Sequence, residues 1–296
     1  MSAPLTIGFG IISWRSPKTL RATLEAHIEA NLTAAFDESL IYFQDPSEAD
    51  TALAKEFGIP FEGGANAGIA EGMRRVAQNL STDLVLLLEN DCPVVESFHQ
   101  IGRQIEELRE RFGRGELDLA RLRHRFRVGA GLSLTKYFRY YPVHELHPEF
   151  DQHRQLSAVA PRWISIARRW MRPKKAQALK GRSIYVEKRP DHVFPGAIRH
   201  LSGEVGDALY LTDSRYLNWT NQSVLLPKAF FLETLMPYVD AHPCNRTSNG
   251  FQSPEKVLNT RWWREQRYRI GVGRGLFTHQ RVDGSWRPNR PSYEPT

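Results

Sequence analysis

A chain of 296 residues and 34.0 kDa, with 41% hydrophobic and 25% charged residues, 21 glycines and 18 prolines, has an ordinary globular composition, which excludes disordered, collagenous and low-complexity scaffolds. The net charge of +7 is unevenly spread: residues 1–100 carry −8, residues 101–200 carry +12 and residues 201–296 carry +3, with 31 arginines against 9 lysines. Two cysteines are too few for a disulfide framework and the longest aliphatic run, Leu84–Leu88, is far short of the ~20 residues of a spanning helix, so a cytoplasmic, reducing compartment is expected.

The first hundred residues read as alternating strand and helix. Residues 5–13 form an apolar run fit for a buried strand. Ser16-Pro17 then opens a helix with Leu20, Leu24, Ile28 and Leu32 recurring every four residues. Residues 40–43 predict a second strand ending at Gln44-Asp45-Pro46, residues 49–57 a helix, Ile59-Pro60-Phe61 a short strand, Gly63-Gly64 a turn, and residues 70–80 a helix. Residues 83–88 predict a strand, continuously aliphatic from Leu84 on, as in the middle of a parallel sheet. The alternation predicts an α/β fold with an open, mostly parallel twisted sheet flanked by helices.

After a helix over residues 97–112, residues 121–128 alternate arginine with Leu, His, Phe and Val, which predicts a strand with one basic face. Residues 163–172 place Trp163, Ile164, Ile166, Ala167, Trp170 and Met171 at helical spacing among Arg162, Arg168, Arg169 and Arg172. Residues 224–226 predict a strand, residues 230–236 a helix, and Ser253-Pro254-Glu255 opens a helix running to about residue 267. The tail from residue 281 is polar and proline-rich. The expected organisation is one domain over residues 1–296, with an irregular tail over 282–296.

In open α/β sheets ligands bind outside the carboxyl ends of the strands, which singles out Trp14, Arg15, Asp45 and Glu89-Asn90-Asp91. Two carboxylates spaced as Glu89-x-Asp91 suit Mn²⁺ or Mg²⁺ held against a diphosphate, because hard cations take oxygen ligands; a solvated acidic turn is the alternative. Taken alone, His279 after Leu276-Phe277 reads as a partly buried structural residue, and Glu255 as a carboxylate complementing the dipole of a first helical turn.

The order and spacing of these segments over about residues 5–98 resemble the GT-A glycosyltransferases, especially the family 2 type. The segments are Ser13-Trp14-Arg15 after the first strand, Asp45 after the second, Gly63-Gly64-Ala65-Asn66-Ala67-Gly68-Ile69-Ala70, and Glu89-Asn90-Asp91-Cys92-Pro93-Val94 after the aliphatic strand. Ser253-Pro254-Glu255 with Trp262-Trp263, and Gly275-Leu276-Phe277-Thr278-His279, are similar to later family segments.

The resemblance implies that Asp91 and Glu89 carry the metal and the donor diphosphate, with Asn90 between them in the donor site. Glutamate at the first position departs from the family's Asp-x-Asp. It further implies that Ser13, Arg15 and Asp45 hold base and ribose, that Asn66 and Gly68 lie beneath the nucleotide, that His279 completes the metal shell, and that Glu255 is the catalytic base. Asp191, Asp207 and Asp213 are the alternatives for the base. The implied activity is transfer of a sugar from a nucleotide-diphosphate sugar to a hydroxyl of a glycan or lipid-linked acceptor, metal-dependent and inverting, as in polysaccharide biosynthesis, and the resemblance implies a nucleotide-sugar-binding half over about 1–100 and an acceptor-binding half over about 101–281.

The helix over residues 163–172 has two readings: a core-facing helix with a solvated arginine face, or a helix lying on an anionic membrane, which would place the protein peripherally at the inner membrane face. Nucleic acid is disfavoured as a partner, since no recognition motif is present. A noncatalytic basic module for nucleic acid or membrane, on a GT-A-like scaffold, is the rival class.

Overall fold

The computed structural model describes residues 3–130, 132–150, 158–245, 247 and 250–282; the expected tail beyond Val282 lies outside them. β1 (Ile7–Ser13) is buried along its whole length, followed by β2 (Glu38–Gln44), β3 (Phe61–Gly64) and β4 (Leu84–Glu89). Between and after them run α1 (Pro17–Glu29), α2 (Glu48–Glu56), α3 (Gly68–Asn79) and α4 (Phe98–Gly113). Proline occupies the first turn of α1, and a Ser47/Asp50 capping box starts α2. Glycines let α3 press against β1: a Cβ on Gly72 would stand 2.0 Å from Ile12 Cδ1, and one on Gly10 2.1 Å from Val76 Cγ1.

Three local expectations change. Gly63-Gly64 is the end of β3 rather than a turn, and the strand starts at Phe61 instead of Ile59, because an edge strand needs only backbone pairing with β2 and leaves no side-chain pattern. In α1, Leu20 and Leu24 are buried but Ile28 is 49% exposed. A strict four-residue spacing advances about 40° per step around a helix of ~3.6 residues per turn and carries Ile28 off the buried stripe. Leu32 is buried in a separate 3-10 turn, Leu32–Ala35.

The second half contributes β5 (Leu119–Arg123), β6 (Arg199–Ser202), β7 (Leu209–Asp213), β8 (Val224–Pro227) and β9 (Arg269–Phe277). β5 ends at Arg123, short of Val128, and presents no basic surface. It lies between β8 and β9, and Arg121, Arg123 and Arg125 are 6%, 6% and 0% exposed. β6, β7 and β9 show no pattern in the sequence: two are short, and β9 interrupts its apolar residues with Gly271, Gly273 and Gly275. The helix expected over residues 253–267 is two, Pro254–Leu258 and Arg261–Gln266. They part at Asn259, whose amide exchanges hydrogen bonds with the Trp219 backbone. The stretch 230–236 is a π-helical turn, Phe230–Leu235, leading into the helix Met236–Ala241.

Among the described residues the nine strands form one sheet in the order β3-β2-β1-β4-β8-β5-β9-β7-β6. The α/β architecture is as expected, and the sheet is mixed: parallel from β3 to β4, with antiparallel partners entering at β8 and again at β7 and β6. β8 runs antiparallel to both β4 and β5, and β9 is parallel to β5, so β4, β5 and β9 point the same way. Their carboxyl ends therefore share one edge with those of β1, β2 and β3. One apolar core packs α1, α2 and α4 against Ile7, Phe9, Ile11 and Leu86; the other packs α3 against Val85 and Leu87. No described helix is long and apolar enough to cross a membrane.

Candidate active site at the carboxyl edge

Glu89 ends β4, Asp91 follows two residues on, and His279 follows β9. The strands do not pair with each other, so another contact must bring His279 to Asp91. The chain after β9 runs antiparallel to residues 91–95 and hydrogen-bonds to it: Val95 N–H donates to the Leu276 carbonyl, Thr278 N–H to Pro93, and Gln280 N–H to Asp91, at 2.9, 3.0 and 2.9 Å. Gly129, at a φ of 65°, closes over the same segment, where a Cβ would stand 2.3 Å from the His279 carbonyl oxygen. Donor atoms of Glu89, Asp91 and His279 consequently lie within 4.8 Å of one another.

Asp91 is fully buried, with Oδ2 3.0 Å from His279 Nε2 and 2.6 Å from the Arg281 guanidinium. Burial opposes its charge, but His279 and Arg281 outweigh burial and hold the carboxyl below the ordinary range. Glu89 goes the other way: burial, then the charges of Asp91 and Glu255, push its carboxyl well above the ordinary range. Two carboxylates and an imidazole packed this closely suit a divalent cation such as Mn²⁺ or Mg²⁺, and the 3.0 Å approach of His279 Nε2 to Asp91 Oδ2 aims a ring nitrogen at the carboxylates. Arg281, read in the sequence as the start of the tail, is instead a member of this cluster; its only sequence signal is its place two residues after His279.

The other predicted donor-site residues divide into two groups. Ser13 and Asn90 are 1% and 8% exposed and bond to each other, Asn90 Nδ2 donating to Ser13 Oγ at 3.3 Å, while the Asn90 carbonyl accepts from Thr23 Oγ1 at 2.7 Å. They tie the ends of β1 and β4 together from within. Arg15, Asp45, Asn66 and Gly68 form a chain along the rim. Arg15 and Asp45 both have positive φ and pair at 3.6 Å, Asp45 Oδ1 accepts from Asn66 N–H at 2.9 Å, and Asn66 Oδ1 accepts from Gly68 N–H at 2.9 Å. Gly68 has φ of 86°, and a Cβ there would strike Phe251 at 2.2 Å.

Glu255 is exposed at the start of Pro254–Leu258, and its Oε1 accepts the Asn221 N–H at 3.1 Å. It lines a cavity of about 360 Å³ together with Gln222, Arg121, Arg123 and Arg182, and its charge acts on Glu89. The alternative carboxylates are engaged in ion pairs of their own: Asp191 with Arg189 at 3.7 Å, Asp207 with Arg103 at 2.6 Å and Asp213 with Arg215 at 2.5 Å. Of the adjacent Trp262-Trp263, Trp263 is fully buried and Trp262 stacks on Tyr238 at 3.6 Å.

The helix Arg162–Met171 turns its apolar residues outward: Trp163, Ile166, Trp170 and Met171 are 72%, 49%, 85% and 63% exposed. Arg168 and Arg169 face the protein, Arg168 donating to the Arg139 carbonyl at 3.3 Å and Arg169 lying 5.4 Å from the Tyr141 ring centroid, while Arg162 is exposed. The core-facing reading of this helix does not hold.

Neither a family model nor a curated protein matches the chain. Among solved structures it is similar to glucosyl-3-phosphoglycerate synthase from Mycobacterium tuberculosis, in complex with phosphoglyceric acid and in complex with Mn²⁺ and uridine-diphosphate-glucose; in both cases identity is 14%, 40% of this chain and 43% of that chain are covered, and the TM-score is 0.33. It is also similar to mannosyl-3-phosphoglycerate synthase from Rubrobacter xylanophilus, at 17% identity over 45% of this chain and 46% of that chain, with a TM-score of 0.34. The chain thus spans less than half the length of the solved structures it matches.

Proposed function

We propose that this chain is a GT-A-like glycosyltransferase of the family 2 type, moving a sugar from a nucleotide-diphosphate sugar to a hydroxyl acceptor with inversion. The observation that carries the reading is the meeting of Glu89, Asp91 and His279 within 4.8 Å at the same sheet edge as the Arg15-Asp45-Asn66-Gly68 chain. Glu89, Asp91 and His279 would hold Mn²⁺ or Mg²⁺, which supplies positive charge to the departing diphosphate. Arg15, Asp45, Asn66 and Gly68 shape the rim where base and ribose would lie, and Ser13 and Asn90 keep the two strand ends in register beneath it.

Glu255 acts as the base. It accepts the acceptor hydroxyl proton as the new oxygen–carbon bond forms at the anomeric carbon, and the diphosphate leaves with the electron pair of the broken bond. The Asn221 N–H fixes the carboxylate through Oε1 while its exposed face meets the cavity. Peripheral contact with an anionic membrane belongs to the same proposal. The outward Trp163, Ile166, Trp170 and Met171, beside Lys174 and Lys175, match the chemistry of an interfacial helix and would give access to a lipid-linked acceptor.

Calorimetry with nucleoside diphosphates tests the reading. Binding should strengthen on adding Mn²⁺, and Glu255→Gln should retain that binding while sugar transfer falls at least ~10²-fold. Absence of nucleotide binding with and without Mn²⁺ would leave the noncatalytic module as the better account.

A further inference from the structure

Among the described residues, three arginines that line one cavity of the second half have no ion-pair partner. Arg121 and Arg123 lie on β5, each 6% exposed, and Arg182 comes from the 3-10 helix Lys180–Tyr185. All three line the 360 Å³ cavity that also contains Tyr185, Gln222 and Glu255. Their hydrogen bonds go to neutral acceptors. Arg121 donates to the Asn218 carbonyl, Arg123 to the carbonyls of Val128 and Ala130 and to Gln222 Oε1, and Arg182 to the Ser133 carbonyl. Among the described residues no carboxylate forms an ion pair with any of them.

Like charges gathered this closely repel, and Arg182 is pushed down to about 10, first by burial and then by Arg121. Arg121 Nε and the hydroxyl of the fully buried Tyr185 are also left without hydrogen-bond partners. Buried donors are ordinarily satisfied and buried charges ordinarily paired, so guanidiniums without ion pairs beside these two unsatisfied donors fit an anionic ligand. The place matters too: Arg123 donates to Gln222 Oε1 at 2.6 Å, and the Gln222 side chain in turn acts on Glu89.

We propose that this cavity is the acceptor subsite and that its acceptor carries a phosphate, held by Arg121, Arg123 and Arg182 while the reacting hydroxyl lies against Glu255. Three guanidiniums with an additional phenol donor match the charge and the several acceptor oxygens of a phosphate monoester. A cavity of this size admits a small head group and not a nucleic-acid strand. The phosphate stays intact; its attachment sets which hydroxyl reaches the base. Calling the subsite an acceptor site rests on the glycosyltransferase reading, whereas anion binding by the three arginines does not.

Calorimetry with inorganic phosphate and with glycerol 3-phosphate separates the two. Wild-type protein should bind both probes. Arg182→Gln and Arg121→Gln should weaken them roughly tenfold or more, with Arg182→Lys recovering part of the loss. Arg182 is only part-buried, so its variants report even if Arg121→Gln fails to fold. Nucleoside diphosphate binding with Mn²⁺ should be the same in Arg182→Gln as in wild type; its absence from both overturns the glycosyltransferase reading and leaves the anion site standing. Co-sedimentation with phosphatidylcholine vesicles, with and without phosphatidic acid, identifies the source of the phosphate: a phosphatidic acid effect lost in Arg182→Gln assigns a lipid phosphate, and binding of the soluble probes alone assigns a free one. Wild-type protein that binds neither soluble probe nor phosphatidic acid, or binding unchanged in the arginine variants, overturns the subsite.

Discussion

At Asp91 the charges on its neighbours decide what a substitution does. The residue is fully buried and receives both His279 and Arg281, so Asp91→Ala would strand a guanidinium as well as remove the proposed metal ligand. Asp91→Asn keeps the shape and should abolish Mn²⁺-enhanced nucleotide binding with a circular dichroism spectrum like that of wild type; His279→Ala should weaken Mn²⁺ less. Enhancement undiminished in Asp91→Asn would remove this carboxylate from the site. His27 provides an independent pH test. It is fully buried, its Nε2 meets the Cys92 carbonyl at 3.0 Å, and its Nδ1 has no partner. Burial lowers its pKa from 6.5 to about 4 despite the Cys92 carbonyl. The unfolded chain therefore takes up this proton before the folded one does, and the stability it contributes is complete above pH 6.5 and lost as pH falls toward 4. Between pH 7 and pH 4 wild type should lose about 3 kcal/mol more than His27→Phe; equal losses in denaturant titrations would show that His27 does not control this window.

Among the elements, the helix Arg162–Met171 is the one whose surroundings contradict its pattern. An amphipathic segment normally buries its apolar side, yet here Arg168 and Arg169 find the Arg139 carbonyl and the Tyr141 ring, and two tryptophans are left in solvent. If a membrane covers that face, Trp163→Ser with Trp170→Ser should abolish co-sedimentation with anionic vesicles while leaving the thermal midpoint within about a degree, because residues this exposed contribute little to folding. Retained co-sedimentation would return the contact to charge alone, and a large fall in midpoint would mean that the tryptophans pack within the protein.

For the whole molecule, the division near residue 100 coincides with a single strand boundary, since β3, β2, β1 and β4 come from the first half and β8, β5, β9, β7 and β6 from the second. The halves meet at the β4–β8 pairing, and both apolar cores cross it: Leu86 and Leu88 share one with Leu225 and Phe277, and Met73 and Val85 share the other with Val224 and Leu226. We expect one cooperative unfolding transition, with far-ultraviolet circular dichroism and tryptophan fluorescence coincident. All seven tryptophans are fluorescent reporters, and apart from Trp14 they lie in the second half, so two separate transitions would show the halves to be independent domains.

What the sequence determined by itself was local. Aliphatic runs and proline or serine helix starts mark β1, β2, β4 and α1 to α4, since burial on both faces and capping leave a residue-by-residue pattern. The strand ends that hold Asp45, Glu89 and Asp91 follow from those runs, whereas the roles of Asn66, Glu255 and His279 entered only through resemblance. Tertiary structure alone decided that residues 276–280 run beside residues 91–95 and so bring His279 and Arg281 to Asp91. It also decided that β5 is an interior strand. A period-two run of arginine looks the same whether the next layer is water or protein, and only the segments that fold over β5, carrying Asn218, Gln222, Val128 and Ala130, bury Arg121 and Arg123.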